Sequence, residues 1–171
     1  MIKKSALLLL VLALALALAA PGQAVVVNFD DLGLGQVPAV YAGLNWDGNF
    51  HVYDEVSYQI GYGNTLTFFP SYANAAYNGY GVPTAVVSNG PINVIGAYFT
   101  SWADNNGWGS WSSTGLDVSG FLGANLVGTV SVPLQPVGFV YAPLNFNNVD
   151  RLEIRTVEGV SGYWWLMDNL E

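Results

Sequence analysis

The sequence predicts an all-β fold: an antiparallel β-sandwich or barrel of about eight to ten short strands, behind a helical leader. Three observations predict it. Short apolar runs recur after residue 24 with Gly, Asn, Asp or Pro between them, and several alternate with a period of two. Aromatic residues reach 14% while charged residues make up only 9%, against a typical ~25%. No segment after Ala24 carries a helical period.

The leader comes first. Lys3 and Lys4 precede an unbroken Leu/Ala/Val run from Ala6 to Ala20, followed by Pro21-Gly22-Gln23-Ala24. A charged start, an apolar middle and small residues at Gly22 and Ala24 predict a secretory signal peptide over residues 1–24, cleaved after Ala24. Its apolar run of roughly 15 residues falls short of the ~20 that span a bilayer as a helix. The expected product is a secreted, extracellular protein without stable membrane insertion, folded as one domain over residues 25–171.

Strand signals follow in order. Val25 to Phe29 opens the domain, and Leu44-Asn45-Trp46 leads through Asp47-Gly48 to Asn49–Tyr53. A two-residue Asp-Gly link between apolar runs is a strong hairpin signal, because a type I′ turn needs positive φ at both positions. From Tyr58 to Pro91 the chain is rich in Gly, Asn and Tyr, and reads as loops around short strands at Leu66–Phe69 and Ala85–Val87. Asn93–Ser101 reads as a long strand and Leu116–Phe121 alternates. Leu126, Val130 and Val132 share one face of the next strand. In Val149–Val157, Leu152 and Ile154 face one way, while Arg151, Glu153 and Arg155 form a charged row on the other. Tyr163–Leu170 is apolar on both faces, as a covered central strand is.

Composition excludes several function classes. Residues 25–171 hold two arginines against 12 acidic residues, a formal charge of −10, so nucleic acid and anionic membranes are poor partners. Cysteine is absent, which removes disulfides, zinc-thiolate sites and thiol nucleophiles. The single histidine, His51, excludes a multi-histidine metal site. Gly159-Val160-Ser161-Gly162-Tyr163 is the nearest approach to a nucleophile elbow and fails at its last position. Glycosidase carboxyls at i and i+2 on one strand are also missing, since Asp30-Asp31 and Asp54-Glu55 are adjacent pairs.

Three short motifs form a set: Asn28-Phe29-Asp30-Asp31-Leu32, then Tyr41-Ala42-Gly43-Leu44-Asn45-Trp46 with Asn49-Phe50, then Met167-Asp168-Asn169-Leu170. In order and spacing the set resembles secreted β-sandwich proteins of bacteria and fungi, many of them exported with a PEP-CTERM sorting tail, built on a jelly roll similar to that of carbohydrate-binding modules. The resemblance spans residues 25–171 and implies the fold more than an activity. That tail comprises a Val-Pro-Glu-Pro type tag, an apolar helix and a basic cluster. None of these precedes Glu171, so sorting by that route is not expected.

Two constellations are candidates for function. Trp102, Trp108 and Trp111 lie among small and polar residues, and exposed indoles stack on the apolar faces of sugar rings. Asp104, Asn105 and Asn106 are placed to hydrogen-bond sugar hydroxyls. The competing reading has the tryptophans folding back to cap one end of the sandwich. Tyr72, Tyr77 and Tyr80 invite the same argument more weakly. Asp30, Asp31 and Asp168 fall on the first and last strands, which neighbour each other in many jelly rolls. Together with backbone carbonyls they are candidate ligands for a structural Ca²⁺, as the resemblance also implies. The competing reading is of strand-end aspartates bonded to nearby N–H groups.

The expected function is therefore non-catalytic binding of a polysaccharide or cell-surface glycan through the tryptophan loop. A structural matrix or envelope protein without a sugar ligand is the alternative. A glycoside hydrolase with acids from different strands is the third reading.

Overall fold

The computed structural model describes residues 25–104, 109–157 and 163–171. In chain order its strands are β1 (Gly35–Gln36), β2 (Val40–Tyr41), β3 (Leu44–Trp46), β4 (Phe50–Asp54), β5 (Asn74–Asn78), β6 (Thr84–Ser101), β7 (Gly115–Leu122), β8 (Asn125–Pro133), β9 (Val140–Thr156) and β10 (Trp165–Asp168). One helix, α1 (Glu55–Tyr62), lies between β4 and β5. All named strand pairs are antiparallel, in the order β1-β4-β5-β10-β6-β9-β7-β8, with β3 on the other half of β6 and β2 beyond it.

A single hydrogen-bonded sheet becomes a sandwich because β6 and β9 each pass from one layer to the other. β6 pairs with β3 at Val87 and Ser88 but with β10 at Tyr98–Ser101, and β9 reaches β7 only through Arg151–Thr156. Between these halves the β6–β9 register slips three times from Ser88 to Gly96, and Asn145 and Asn148 take positive φ values of 51° and 57°. Such irregularities let long strands bend at a corner. The core between the layers joins Phe50, Val52, Phe99, Trp165 and Met167 to Trp46, Val87, Leu116, Val118 and Ile154. Trp46 crosses it, edge-on to Phe50 at 4.9 Å and to Phe29 at 5.3 Å.

The two ends of the domain lie side by side, as expected. Val27 and Leu170 exchange backbone hydrogen bonds of 2.8 and 3.0 Å, although Val25–Phe29 forms this one bridge rather than a strand. β10 sits between β5 and β6 with all four residues buried, in agreement with its two apolar faces. Leu152 and Ile154 point into the core, while Arg151 pairs with Glu153 and lies 4.0 Å over the Phe121 ring.

Four local expectations need correction. Asp47-Gly48 does not close a hairpin: β3 pairs with β2 and β6, and β4 with β1 and β5. The Asp47 carboxylate accepts from the N–H groups of Asn49 (3.0 Å) and Val86 (2.8 Å), so the link is an interlayer corner held across strands. A helix does exist after residue 24. Asp54 caps it by accepting from Ser57 N at 2.8 Å, and Gly63 ends it in the left-handed region at φ 68°. Its eight residues bury Tyr58 alone, too short a signal for periodicity to reveal. Leu66–Phe69 is not a strand, whereas Asn74–Asn78 is. Finally, a bulge pairs Phe121 with Leu126 and skips Val127, which breaks the expected face of β8 and leaves Leu126 exposed.

Among the described residues, no helix is long and apolar enough to cross a membrane.

Candidate functional site

Adjacent residues on a strand point to opposite faces, and Trp164-Trp165 uses this directly. Trp165 enters the interlayer core, and Trp164 lies half-buried on the outer face of the layer built on β4, β5 and β10. There a second apolar cluster forms from Tyr58, Phe69, Ala75, Trp102 and Leu166, edged by Tyr53, Tyr77, Phe139 and Trp164. Helix α1 covers part of it. The Tyr58 hydroxyl donates to Ala103 O at 2.9 Å and accepts from Ala103 N at 3.1 Å. The Asn64 side-chain amide donates to the same carbonyl at 2.9 Å.

Tyr62, one turn after Tyr58, meets Trp102 edge-to-face at 4.8 Å and 85°. Trp164 meets Trp102 at 5.4 Å and 61°, and Tyr77 stacks on Trp164 at 5.8 Å and 18°. Trp111 is brought in by backbone bonds: Trp164 N donates to Trp111 O at 3.0 Å, while Trp102 N and Ser113 N both donate to Trp164 O. The Ser112 hydroxyl donates to Trp102 O at 2.6 Å and accepts from Gly109 N at 2.8 Å. Two glycines make room for the rings. A Cβ on Gly109 would lie 2.6 Å from Trp111 Cε2, and one on Gly81 would lie 2.5 Å from Trp164 Nε1.

The result is an open cleft of about 310 Å³ walled by Tyr62, Trp102, Trp111 and Trp164. Trp102 is 3% exposed and forms the floor, whereas Trp111 and Tyr62 are 42% and 36% exposed and form the rim. Burial raises the hydroxyl pKa values of Tyr58, Tyr53 and Tyr77, so these neighbours stay neutral phenols at physiological pH. A larger cavity of about 510 Å³ opens where Val25, Val27 and Leu170 meet Leu44, Ile92 and Val94, and among the described residues no aromatic ring lines it.

Of the residues expected to bind a ligand, Trp111 is presented to solvent and Trp102 is not: it is a buried support, as the capping alternative had it. Asp104 is half-buried, and its charge adds to the upward shift of Tyr58. Trp108, Asn105 and Asn106 lie outside the described residues. Tyr62 and Trp164 complete the cleft and were missed. Tyr72 and Tyr80 are exposed away from its walls. His51 packs between the rings of Tyr77 and Tyr80, opposite Gln36 on β1 and Tyr77 on β5.

Two of the three candidate calcium ligands meet around Ser71. Asp30 Oδ1 accepts from the Ser71 hydroxyl (2.9 Å) and Asn74 N (3.0 Å), and its Oδ2 from the Asn28 amide (3.0 Å). Asp168, fully buried, accepts from Ser71 N (2.8 Å) and Asn169 N (2.7 Å). Burial raises its pKa from 3.8 to about 6, the hydrogen bonds opposing and the Asp30 charge adding to the shift. Asp31 is exposed and accepts instead from the Tyr41 hydroxyl at 2.6 Å. Burial and this carboxylate together raise the Tyr41 pKa. Among the described residues, no three His, Cys, Asp or Glu side chains group to hold a metal.

No family model and no curated protein matches the chain. The fold and the cleft define the class at this point: an antiparallel β-sandwich that carries a solvent-open aromatic site on the outer face of one layer.

Proposed function

We propose that this is a secreted, non-catalytic glycan-binding protein whose ligand contacts the cleft of Tyr62, Trp102, Trp111 and Trp164. One observation carries the reading: four aromatic side chains from separate parts of the chain are held around open space on one face. Trp111, at the rim, offers the face on which a sugar ring stacks. Covering ~60 Å² of sugar contributes about 1.5 kcal/mol at ~25 cal/mol/Å². A few such contacts, less the cost of association, give weak binding.

The non-catalytic part is supported by the occupation of the carboxylates. Asp47 and Asp54 hold the corner and the helix cap, Glu55 accepts from Phe69 N at 2.6 Å, and Asp117 accepts from the Ser131 hydroxyl at 2.6 Å. None of these lines the cleft. Retention on a panel of insoluble polysaccharides tests the proposal. Wild type is expected to be retained by at least one polysaccharide, and Trp111→Ala to lose at least about tenfold in affinity at an unchanged unfolding midpoint, the worth of one such stacking contact. Failure of the wild type across the panel rejects the reading.

A structural calcium at Asp30 and Asp168 is a separate proposal, supported by the meeting of the two carboxylates where the domain's ends join. Each carboxylate already faces protein donors, so an ion has to displace at least one of them. Binding to the native state alone raises stability. Calcium is expected to raise the unfolding midpoint relative to chelator, and identical midpoints would remove the site.

A further inference from the structure

The three inner rings of the cleft are not a platform. Tyr62 and Trp164 stand on Trp102 at 85° and 61°, so their planes are mutually inclined rather than coplanar. Trp111 lines the same space without ring contact to the other three, which leaves that space between it and them. A flat pyranose can cover Trp111 but cannot lie against inclined walls at once. A compact, rounded group can.

The chemistry of the walls narrows the group further. Among the described residues, the side-chain polar atoms of these walls are one phenol hydroxyl and three indole N–H groups, a donor-rich set poorly matched to the hydroxyls of a buried sugar. A quaternary ammonium has no N–H to satisfy and no lone pair to offer, and it gains from aromatic faces around it. Charge acts in the same direction. Residues 25–171 carry a formal −10, and their arginines, Arg151 and Arg155, lie on the half of β9 paired with β7, away from the β4–β5–β10 layer. Arg151 is moreover engaged with Glu153 and Phe121. Among the described residues no cationic side chain lines the cleft, and the net negative charge of residues 25–171 draws a cation toward the surface.

We infer that the cleft takes a methylated, permanently charged ammonium group borne as a substituent by the bound glycan. This rests on the proposal that the cleft is where the glycan binds. Trp111 then closes the space over the ammonium methyl groups together with Tyr62, Trp102 and Trp164, and its other face stacks on a neighbouring sugar.

The test compares choline with 3,3-dimethylbutan-1-ol, which has the same shape with carbon in place of the charged nitrogen. Binding to the intact protein is read by calorimetry and tryptophan fluorescence. Choline is expected to bind about tenfold more tightly than the neutral isostere, the difference that desolvated cation–π contacts supply. Trp111→Ala and, independently, Tyr62→Leu are expected to remove that preference, with unfolding midpoints confirming that both variants fold. Equal binding of the two probes, or no saturable choline signal, overturns the inference. If choline fails while a neutral polysaccharide is retained, the glycan reading stands without it. If choline binds while no polysaccharide is retained, the ammonium chemistry stands and its glycan carrier falls. Phosphatidylcholine vesicles separate the two sources of this group: the protein is expected to stay in the supernatant, and co-sedimentation overturns the assignment to a glycan.

Discussion

Phe50→Ala is expected to destabilise the protein by about 3–5 kcal/mol, measured by equilibrium denaturation. Phe50 is fully buried and touches Trp46 at 4.9 Å and Trp165 at 6.0 Å, so its ring bridges the two layers at the corner that replaces the expected hairpin. Removing it opens a cavity between rings that strand pairing holds apart and that cannot collapse freely. Against a total of about 5–15 kcal/mol for ordinary domains, such a loss is a large fraction. Phe68→Ala is the matched control. That ring is 62% exposed, and its removal is expected to change stability by no more than about 0.5 kcal/mol. Comparable losses at the two positions would contradict the layer arrangement.

Stability is expected to fall as pH rises through the titration of Asp168. The native carboxyl titrates near 6 rather than 3.8, so the folded state binds its proton more tightly than the unfolded chain does. The contribution is complete below about pH 3.8 and is lost as pH rises through about 6. It amounts to about 3 kcal/mol across that window. Denaturant midpoints from pH 4 to pH 7.5 read the slope, and Asp168→Asn is expected to flatten it, with stability below wild type at the acid end of the window. The asparagine amide places a donor against the N–H of Ser71 or Asn169, at a cost of about 1–3 kcal/mol. An unchanged slope in the variant would contradict the assignment to this carboxyl.

The sandwich was legible because its signals are local. Alternation in Leu116–Phe121, the charged row of Arg151, Glu153 and Arg155, and the doubly apolar Tyr163–Leu170 each report which faces are covered. The meeting of the first and last segments, and with it the approach of Asp30 to Asp168, was expected from the pairing of terminal strands in jelly rolls, which the resemblance implied. What failed was long-range. Asp47-Gly48 has the chemistry of a hairpin, but β6 and β5 compete for its flanking strands and win.

The cleft was half legible for the same reason. Trp102 sits among Ser, Ala and Asp in sequence, and its cover comes from Tyr58 and Tyr62, some forty residues earlier. Two signals were available. Tyr58 and Tyr62 are spaced by four behind the cap at Asp54, as neighbours on one helix face are. Trp164 precedes Trp165 on one strand, so the period of two puts the pair on opposite faces, one in the core and one outside it.

Side-chain N–H resonances of the six tryptophans offer the most direct test that the Tyr62, Trp102, Trp111 and Trp164 cleft is the ligand site. Titration with a retained glycan, or with choline, is expected to move the Trp111 and Trp164 signals while Trp46 and Trp165, sealed in the interlayer core, stay still. Shifts confined to residues outside the cleft, with Trp111 and Trp164 unmoved at saturation, would contradict it.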